Sequence, residues 1–170
     1  MPTCSLIGST AIGCADSNGG VAEIKVKVFD SSLNGITESS GTVTMAGAAL
    51  TGWYTYQCEK QTANVVEALV KNIQNGTVVY NQTATYIFNK LQASFRNELK
   101  VLGQNRLHIA VKDNNGTAWL FGYQRGMDLT GANSESGTNY EDRSGYTLTF
   151  TGMEAQPTPT ISNYNSLVTA

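Results

Sequence analysis

Apolar and polar residues alternate along most of the chain, which is the pattern of strands buried on one face. From Ile24 onward, for example, apolar residues occupy every second position up to Val28. Segments rich in Gly, Ser and Asn separate the alternating runs, and 31–41 and 131–145 are predicted to be loops. The pattern predicts strands at 21–30, 42–45, 53–60, 128–130 and 146–154.

Two Asn-Gly pairs lie between apolar runs, and this arrangement is the strongest local signal for a β-hairpin. Asn115-Gly116 turns the chain between two short alternating runs. Asn75-Gly76 separates 63–74 from 77–88, which predicts a long hairpin. An alternative remains open, because apolar residues in 64–73 also recur at the spacing of a helical face.

One segment, 91–102, is predicted to be an amphipathic helix that flanks a sheet. Asn89 and Gln92 resemble a capping box at its start, and Gly103 is a typical stop after its end. Its apolar face is formed by Leu91, Phe95, Leu99 and Leu102. Together, these elements predict a mainly β fold, an antiparallel sandwich or barrel with one α-helix and one long hairpin.

The C-terminal segment lacks the alternation of apolar and polar residues that is found in the rest of the chain. Residues 155–170 contain Pro157 and Pro159 and show no periodicity, so they are predicted to form an extended C-terminal arm. Residues 1–154 are predicted to form a single β-sandwich-like domain, because a chain of this length can bury one core.

The composition narrows the possible functions. The 170 residues are 41% hydrophobic and only 14% charged, with a net charge of −2. A tight nucleic-acid binder needs a basic stripe, which is absent, and no apolar stretch is long enough to span a membrane. A surface with few charges is suited to being covered by copies of itself, since few charges then lose their water.

Residues that could carry chemistry are few and scattered. His108 is expected on the polar, exposed face of its strand, and a thiol–imidazole pair with Cys58 is disfavoured because no orienting motif surrounds the thiol. Cys4, Cys14 and Cys58 have no spacing typical of disulfide or metal motifs. Phosphate-binding and nucleophile motifs are absent, and 139–145 only faintly resembles a calcium loop. No catalytic residue, cofactor or metal is therefore predicted, and the chain is predicted not to be an enzyme.

The long hairpin is the candidate functional feature. Its two strands are apolar on both faces, which exposes more apolar surface than an isolated monomer tolerates. We therefore expect it to pair with other copies of the chain. The predicted interface residues are Val65, Val66, Leu69, Val70, Val78, Val79 and Tyr80.

Two motifs resemble a known group of proteins. They are D-N-N-G-x-x-W-L-F-G-Y-Q-x-G-M at 113–127 and D-R-S-G-Y-T-L-T-F-T-G-M-E at 142–154. With these motifs, residues 4–157 resemble virion structural proteins of tailed phages of Bacteroides-type bacteria, including the crAss-like phages. The order of elements is also similar to the phage tail-tube fold.

This resemblance implies a function without catalysis. The chain would self-assemble into tail-tube or tail/connector rings, with six or twelve copies, that form a channel through which genomic DNA passes transiently. The hairpin at 63–88 would lie between subunits, and 131–145 and 155–170 would reach neighbouring subunits or other tail or connector proteins. The protein would be made in the host bacterial cytoplasm and reside in the tail or head-tail region of the virion.

Two other functions remain open from the sequence. The chain could decorate a capsid or anchor a fibre, with 155–170 docked on the shell. It could also be a carbohydrate-binding β-sandwich that uses Trp53, Trp119 and tyrosines as stacking platforms.

Overall fold

The computed structural model of the chain describes residue 10 and residues 17–169. Cys4 and Cys14 lie outside these residues. The described strands are β1 (Val21–Val28), β2 (Ile36–Ser39), β3 (Thr42–Met45), β4 (Tyr54–Gln57), β5 (Ala63–Asn72), β6 (Thr77–Asn89), β7 (Leu107–Asp113), β8 (Ala118–Phe121), β9 (Asp128–Glu135), β10 (Gly145–Glu154) and β11 (Thr160–Ile161). The α-helix, α1 (Ala93–Gln104), connects β6 to β7.

The strands form two sheets. The larger has seven strands in the order β2-β3-β11-β8-β7-β1-β4, and the smaller has four in the order β5-β6-β10-β9. Neighbouring strands are antiparallel, except that β11 runs parallel to β3. The predicted fold class, a mainly antiparallel β-sandwich with one helix, is thus confirmed.

The main core lies between the two sheets. Every second residue of β1 and β7 points toward the smaller sheet, whose β6 and β10 contribute aromatic and aliphatic side chains in return. The helix closes one side of this core with Phe95, Leu99 and Leu102. The buried residues at its centre include Ile24, Val26, Ala84, Tyr86, Ile109, Val111, Leu148 and Phe150.

A second core covers the opposite face of the seven-stranded sheet. It contains Ala110 and Leu120 from the centre of that sheet, together with Trp53 from the segment before β4. Strand β7 is therefore buried on both faces, and His108 is buried. The expectation that His108 lies on an exposed strand face was wrong, because a strand covered on both sides has no solvent-facing row.

The predicted C-terminal arm is part of the folded body. Strand β11 lies between β3 and β8, and the Leu120 amide donates to the Pro159 carbonyl at 2.9 Å. Farther on, Tyr164 and Leu167 belong to the second core, and the Lys25 ammonium group donates to the Leu167 carbonyl at 2.9 Å. Up to residue 169, the predicted arm therefore packs on the larger sheet, where Ile161, Tyr164 and Leu167 are buried.

The helix was predicted at nearly the right place but with the wrong ends. It begins after Gln92, since Asn89 still belongs to β6 and pairs with Gly145 of β10. Gly103 lies inside the helix, and the Asn105 side chain donates to the Val101 carbonyl at 2.8 Å just beyond the last turn. A side-chain cap thus replaces the predicted glycine stop.

Both predicted loops contain strand residues. β2 lies within 31–41 and pairs with β3 across Ser40-Gly41, whose φ angles of 52° and 79° suit a tight hairpin turn. β9 continues from the predicted 128–130 strand to Glu135, because its backbone keeps pairing with β10. Only 136–144 remain as the connection between β9 and β10.

Candidate functional site

The long hairpin forms as predicted, and the helical alternative for its first strand was wrong. β5 pairs with β6 in unbroken register from Ala63↔Tyr86 to Asn72↔Thr77. At the turn, Gly76 has a φ of 65°, and the Asn75 amide donates to the Asn72 side chain at 3.0 Å. The turn residues thus fix the register locally.

The outer part of this hairpin projects beyond the sheet. Strand β10 pairs with β6 only as far as Glu154↔Tyr80, so the residues of the hairpin nearer the turn have no third strand beside them among the described residues. Within the described part of the chain, β5 is also an edge strand over its whole length. Its backbone groups on the side away from β6 are free to pair with another strand.

Apolar side chains of the edge strand β5 and of this projection are solvent-exposed on both faces of the hairpin. Leu69 and Val78 lie on the face that continues the inner face of the sheet, while Val66 and Val70 lie on the outer face. We call the exposed set the hairpin patch; its members and exposed fractions are Val66 49%, Leu69 57%, Val70 50%, Ile73 85% and Val78 41%.

The predicted interface residues divide into two groups. Four of them, Val66, Leu69, Val70 and Val78, belong to the hairpin patch, whereas Val79 and Tyr80 are half-buried. Val65 lies at the base of the hairpin and packs against the main core. Ile73, the most exposed member, was not in the predicted set. In the sequence, the feature that could have indicated the exposure of Ile73 is its position directly before a polar turn.

A hydrogen-bond network anchors the base of the hairpin. The Glu67 carboxylate accepts from the Thr158 amide at 2.8 Å, and the Thr158 hydroxyl also donates to it. The Gln82 side chain donates to the Thr158 hydroxyl at 2.8 Å and accepts from the Gly122 amide at 2.9 Å. The base is thereby tied to the C-terminal segment and to the end of β8, while the projecting part is free.

His108 is connected to this network through Gly122, and its hydrogen bonds stabilise the fold. Its Nε2 accepts from the Asp30 amide at 3.3 Å, so its Nδ1 carries the proton and donates to the Gly122 carbonyl at 2.9 Å. Burial lowers the pKa of His108 to about 4, and the ring packs 4.8 Å from that of Phe29. At neutral pH the imidazole is uncharged and holds the backbone at Gly122.

Cys58 is not brought together with His108. Its half-buried thiol packs against the main core, whereas His108 is on the other face of the larger sheet. Burial, with a smaller contribution from Glu23, raises the pKa of the Cys58 thiol to about 11. The thiol is therefore protonated at neutral pH and is a poor nucleophile.

The tryptophans proposed as sugar platforms are engaged in the fold. Trp53 is buried in the second core and donates to the Ala49 carbonyl at 2.7 Å. Trp119 is half-buried, and its ring nitrogen lies 3.5 Å from the carboxylate of Asp113. That carboxylate also accepts from the amides of Asn115 and Thr117, so it serves to hold the turn of the second hairpin.

Metal ligands do not converge within the described part of the chain, which contains no group of three His, Cys, Asp or Glu side chains placed to hold an ion. In the segment that resembles a calcium loop, the Asp142 carboxylate instead accepts from the amides of Thr138 at 2.9 Å and Asn139 at 2.7 Å. Over residues 17–169, no helix has the length and apolar character needed to cross a bilayer.

Comparison of the chain with protein-family models, curated proteins and solved structures gives no match. Any function assigned to the chain must therefore be argued from its residues and their arrangement. The hairpin patch is a cluster of apolar side chains that the described fold of a single copy leaves uncovered.

Proposed function

We propose that this chain is a phage virion structural protein that self-assembles through its long hairpin into tail-tube or tail/connector rings enclosing a DNA channel. The observation that carries the proposal is the hairpin patch, in which aliphatic side chains are exposed on both faces of a projecting edge hairpin. Covering them contributes roughly 1 kcal/mol for each half-exposed side chain. A second copy of the chain provides this cover.

The two edges of the smaller sheet support a ring in particular. β5 forms one edge and β9 the other, and they contain ten and eight residues. Pairing of β5 with β9 of the next copy continues the sheet, and repetition around a closed ring leaves no free edge. β5 contains no proline and only Glu67 and Lys71 as charged residues, so it has little protection against such pairing.

The outer face of the smaller sheet has the chemistry expected of a channel wall. Neither β6 nor β10 places a charged side chain on this face. In the proposed ring, DNA passes the uncharged centre of this face without the phosphate contacts that would retain it. Charged residues lie toward its margins, with Asp128 and Glu135 on β9 and with Arg106 and Arg125 at one end of the sheet. Half-exposed threonines occupy its centre: Thr83, Thr85, Thr147, Thr149 and Thr151.

Substitution of the hairpin patch tests the proposal. Val66→Asp and Val70→Asp place a charge where the next copy would cover it, so we expect both variants to remain monomeric while the unchanged chain forms rings. Val28→Asp is a matched control, since Val28 is 51% exposed at the end of β1, outside the hairpin. Size-exclusion chromatography with light scattering, followed by negative-stain microscopy, gives the copy number and shape.

The outcomes separate the candidate functions. Rings that persist in both hairpin variants exclude the hairpin as the contact. An unchanged chain that stays monomeric at high concentration contradicts ring assembly. If such a monomer binds purified capsids, it supports the decoration or fibre-anchoring alternative.

A further inference from the structure

The chain contains three Asn-Gly pairs, which begin at Asn34, Asn75 and Asn115. Asparagine is a chemically labile residue, and a following glycine leaves its side chain open to attack by the next backbone nitrogen, because glycine has no Cβ to block the approach. The reaction needs a side-chain amide that can turn toward that nitrogen and a nitrogen that is not already hydrogen-bonded. The three pairs differ in how far they meet these two requirements.

Asn115, in the turn between β7 and β8, has both groups engaged. Its side-chain oxygen accepts from the Asn18 amide at 2.8 Å, and its side-chain nitrogen donates to the Asn18 carbonyl at 2.9 Å and to the Ser17 hydroxyl at 3.3 Å. The Gly116 amide donates to the Asp113 carbonyl at 3.1 Å. An attack on the Asn115 side chain therefore requires these hydrogen bonds to break first.

Asn34, in the connection before β2, is exposed, but the backbone that follows it is held in place. The Ile36 amide donates to the Leu33 carbonyl at 2.9 Å, which closes a turn around the pair. The Gly35 carbonyl accepts from the Ala46 amide at 2.7 Å, and a Cβ on Gly35 would lie 2.1 Å from the Ala46 carbonyl oxygen. The Gly35 nitrogen thus has little room to move toward the Asn34 side chain.

Asn75, in the turn between β5 and β6, has neither constraint. The residue is exposed, its side chain bonds none of the described residues, and the Gly76 amide donates to none of them. Apart from the adjacent residues, no described atom lies within 4 Å of the position that a Cβ would take on Gly76. The bond from the Asn75 amide to the Asn72 side chain holds the backbone of the turn but leaves the Asn75 side chain free to rotate.

We propose that Asn75 is a site of spontaneous deamidation, in which its side-chain amide becomes a carboxylate. The Gly76 nitrogen loses its proton to water and attacks Cγ of Asn75. A C–N bond forms, the bond from Cγ to the side-chain nitrogen breaks, and that nitrogen takes up a proton and leaves as ammonia. Water then opens the cyclic imide at either carbonyl and gives aspartate or isoaspartate. The net reaction consumes water and releases ammonia, with no oxidation or reduction.

The product changes the tip of the long hairpin. The new carboxylate lies two positions after Ile73, the most exposed member of the hairpin patch, and isoaspartate also adds a carbon to the backbone of the turn. A charge that another copy must cover costs free energy unless it finds a partner. The effect on assembly rests on the proposed function: modified copies should join rings less readily. The modification itself does not depend on that function.

Peptide mapping by mass spectrometry tests the site. The purified chain is incubated at mildly alkaline pH and at a concentration below assembly, and aspartate and isoaspartate are quantified over time at all three pairs. In the folded chain, Asn75 should react at least about tenfold faster than Asn34 or Asn115, because hydrogen bonds or packing must first be broken at those two. In concentrated urea the three pairs should react at similar rates, since the fold no longer distinguishes them.

Matched substitutions test the effect on assembly. Asn75→Gln keeps a neutral amide that would have to close a larger ring and reacts far more slowly, so this variant should keep its association throughout the incubation. Asn75→Asp carries the charge of the product from the start and should associate about tenfold more weakly. Asn97→Asp makes the same chemical change at an exposed position of α1 and should associate like the unchanged chain. Light scattering over a concentration series measures the association.

The site and its consequence can fail separately. An Asn75 that stays unmodified in the folded chain but reacts in urea, or an Asn115 that reacts as fast as Asn75 in the folded chain, would overturn the proposed site. If Asn75 reacts as expected and Asn75→Asp associates like the unchanged chain, the site stands and its effect on assembly is excluded. An unchanged chain that never assembles contradicts the proposed function, while mass spectrometry still decides the site.

Discussion

The two Asn-Gly hairpins of this chain share their turn chemistry but differ in what covers them. The β7–β8 hairpin lies between two cores, and Leu107 to Val111 are all buried. The β5–β6 hairpin is covered at its base and exposed on both faces toward its turn. Turn residues thus determine where a hairpin forms. The strands and segments packed around the hairpin determine whether its apolar residues stabilise the fold or remain available to another chain.

The difference follows from the position of each hairpin in its sheet. β7 lies between β1 and β8, and the segment around Tyr164 and Leu167 covers its second face. β5 is at an edge, and β10 ends before the projecting part begins. Equivalent substitutions in the two hairpins should therefore affect different properties.

The largest expected difference comes from matched leucines. Leu120→Ala in the buried hairpin should lower the free energy of unfolding by about 3 kcal/mol, because it leaves a cavity in the second core. Leu69→Ala in the projecting hairpin should lower it by less than about 0.5 kcal/mol, since Leu69 is mostly exposed. Urea unfolding of each chain at a concentration below assembly measures both values.

Assembly should respond in the reverse order. Leu69→Ala should weaken ring formation, whereas Leu120→Ala should leave it intact under conditions where the chain is folded. Similar losses of stability in the two variants would mean that the projecting hairpin is packed against the body, and the contrast between the hairpins would disappear.

Local signals explain which parts of the fold could be predicted from sequence. Asn75-Gly76 and Asn115-Gly116 specify hairpins within a few residues, so both were found. The burial of His108 could not be predicted, because Phe29, Ala49 and Trp53, which lie around its ring, are distant in sequence. The start of α1 was misplaced since Asn89 pairs with Gly145 in the sheet, which no local pattern reveals.

The candidate site also depends on contacts between residues that are distant in sequence. Apolar residues around the Asn75-Gly76 turn predict that the hairpin is a surface for assembly, but they do not show where its exposed part begins. The extent of the exposed part depends on the edge position of β5, on β10 ending opposite Tyr80 and on the main core reaching only as far as Val65. A groove lined by Phe29, Arg125 and Met153 is formed by segments that are separate in sequence, so only the structure reveals it.

His108, the polar residue of the buried hairpin, should make the stability of the fold depend on pH. His108 has a pKa of about 4 in the folded chain, below its usual 6.5, because burial disfavours the charged ring. The unfolded chain therefore binds a proton at a higher pH than the folded one. Its contribution to stability is complete above pH 6.5 and is lost as the pH falls toward 4, by about 2.5 kcal/mol at pH 4.5.

His108→Gln removes this titration and should flatten the fall in unfolding free energy between pH 6.5 and 4.5. Comparison with the unchanged chain cancels Glu154, whose raised pKa acts in the opposite direction, since a carboxyl protonated more easily in the folded state stabilises it as the pH falls. Urea unfolding at pH 7.5, 5.5 and 4.5 gives the two slopes. Equal slopes would assign the acid sensitivity to other groups.

The smallest expected effect lies where the two hairpins meet. Glu67 on β5 accepts from Thr158, which also bonds Gln82, and Gln82 in turn bonds the amide of Gly122 at the end of β8. Glu67→Gln keeps the shape but weakens the charge-assisted bonds, so the free energy of unfolding should fall by about 1 kcal/mol.

If Glu67 stabilises only this junction, its substitution should change amide exchange near the junction and nowhere else. Amide exchange at Thr158 should accelerate in Glu67→Gln, while the projecting turn at Asn75 should be unaffected because it lies beyond the network. Glu59→Gln, an exposed position in the connection before β5, is the matched control and should alter neither stability nor exchange. If exchange accelerates equally from the base to the turn, the hairpin opens as one unit, and its projecting part depends on the same anchor that separates it from the buried hairpin.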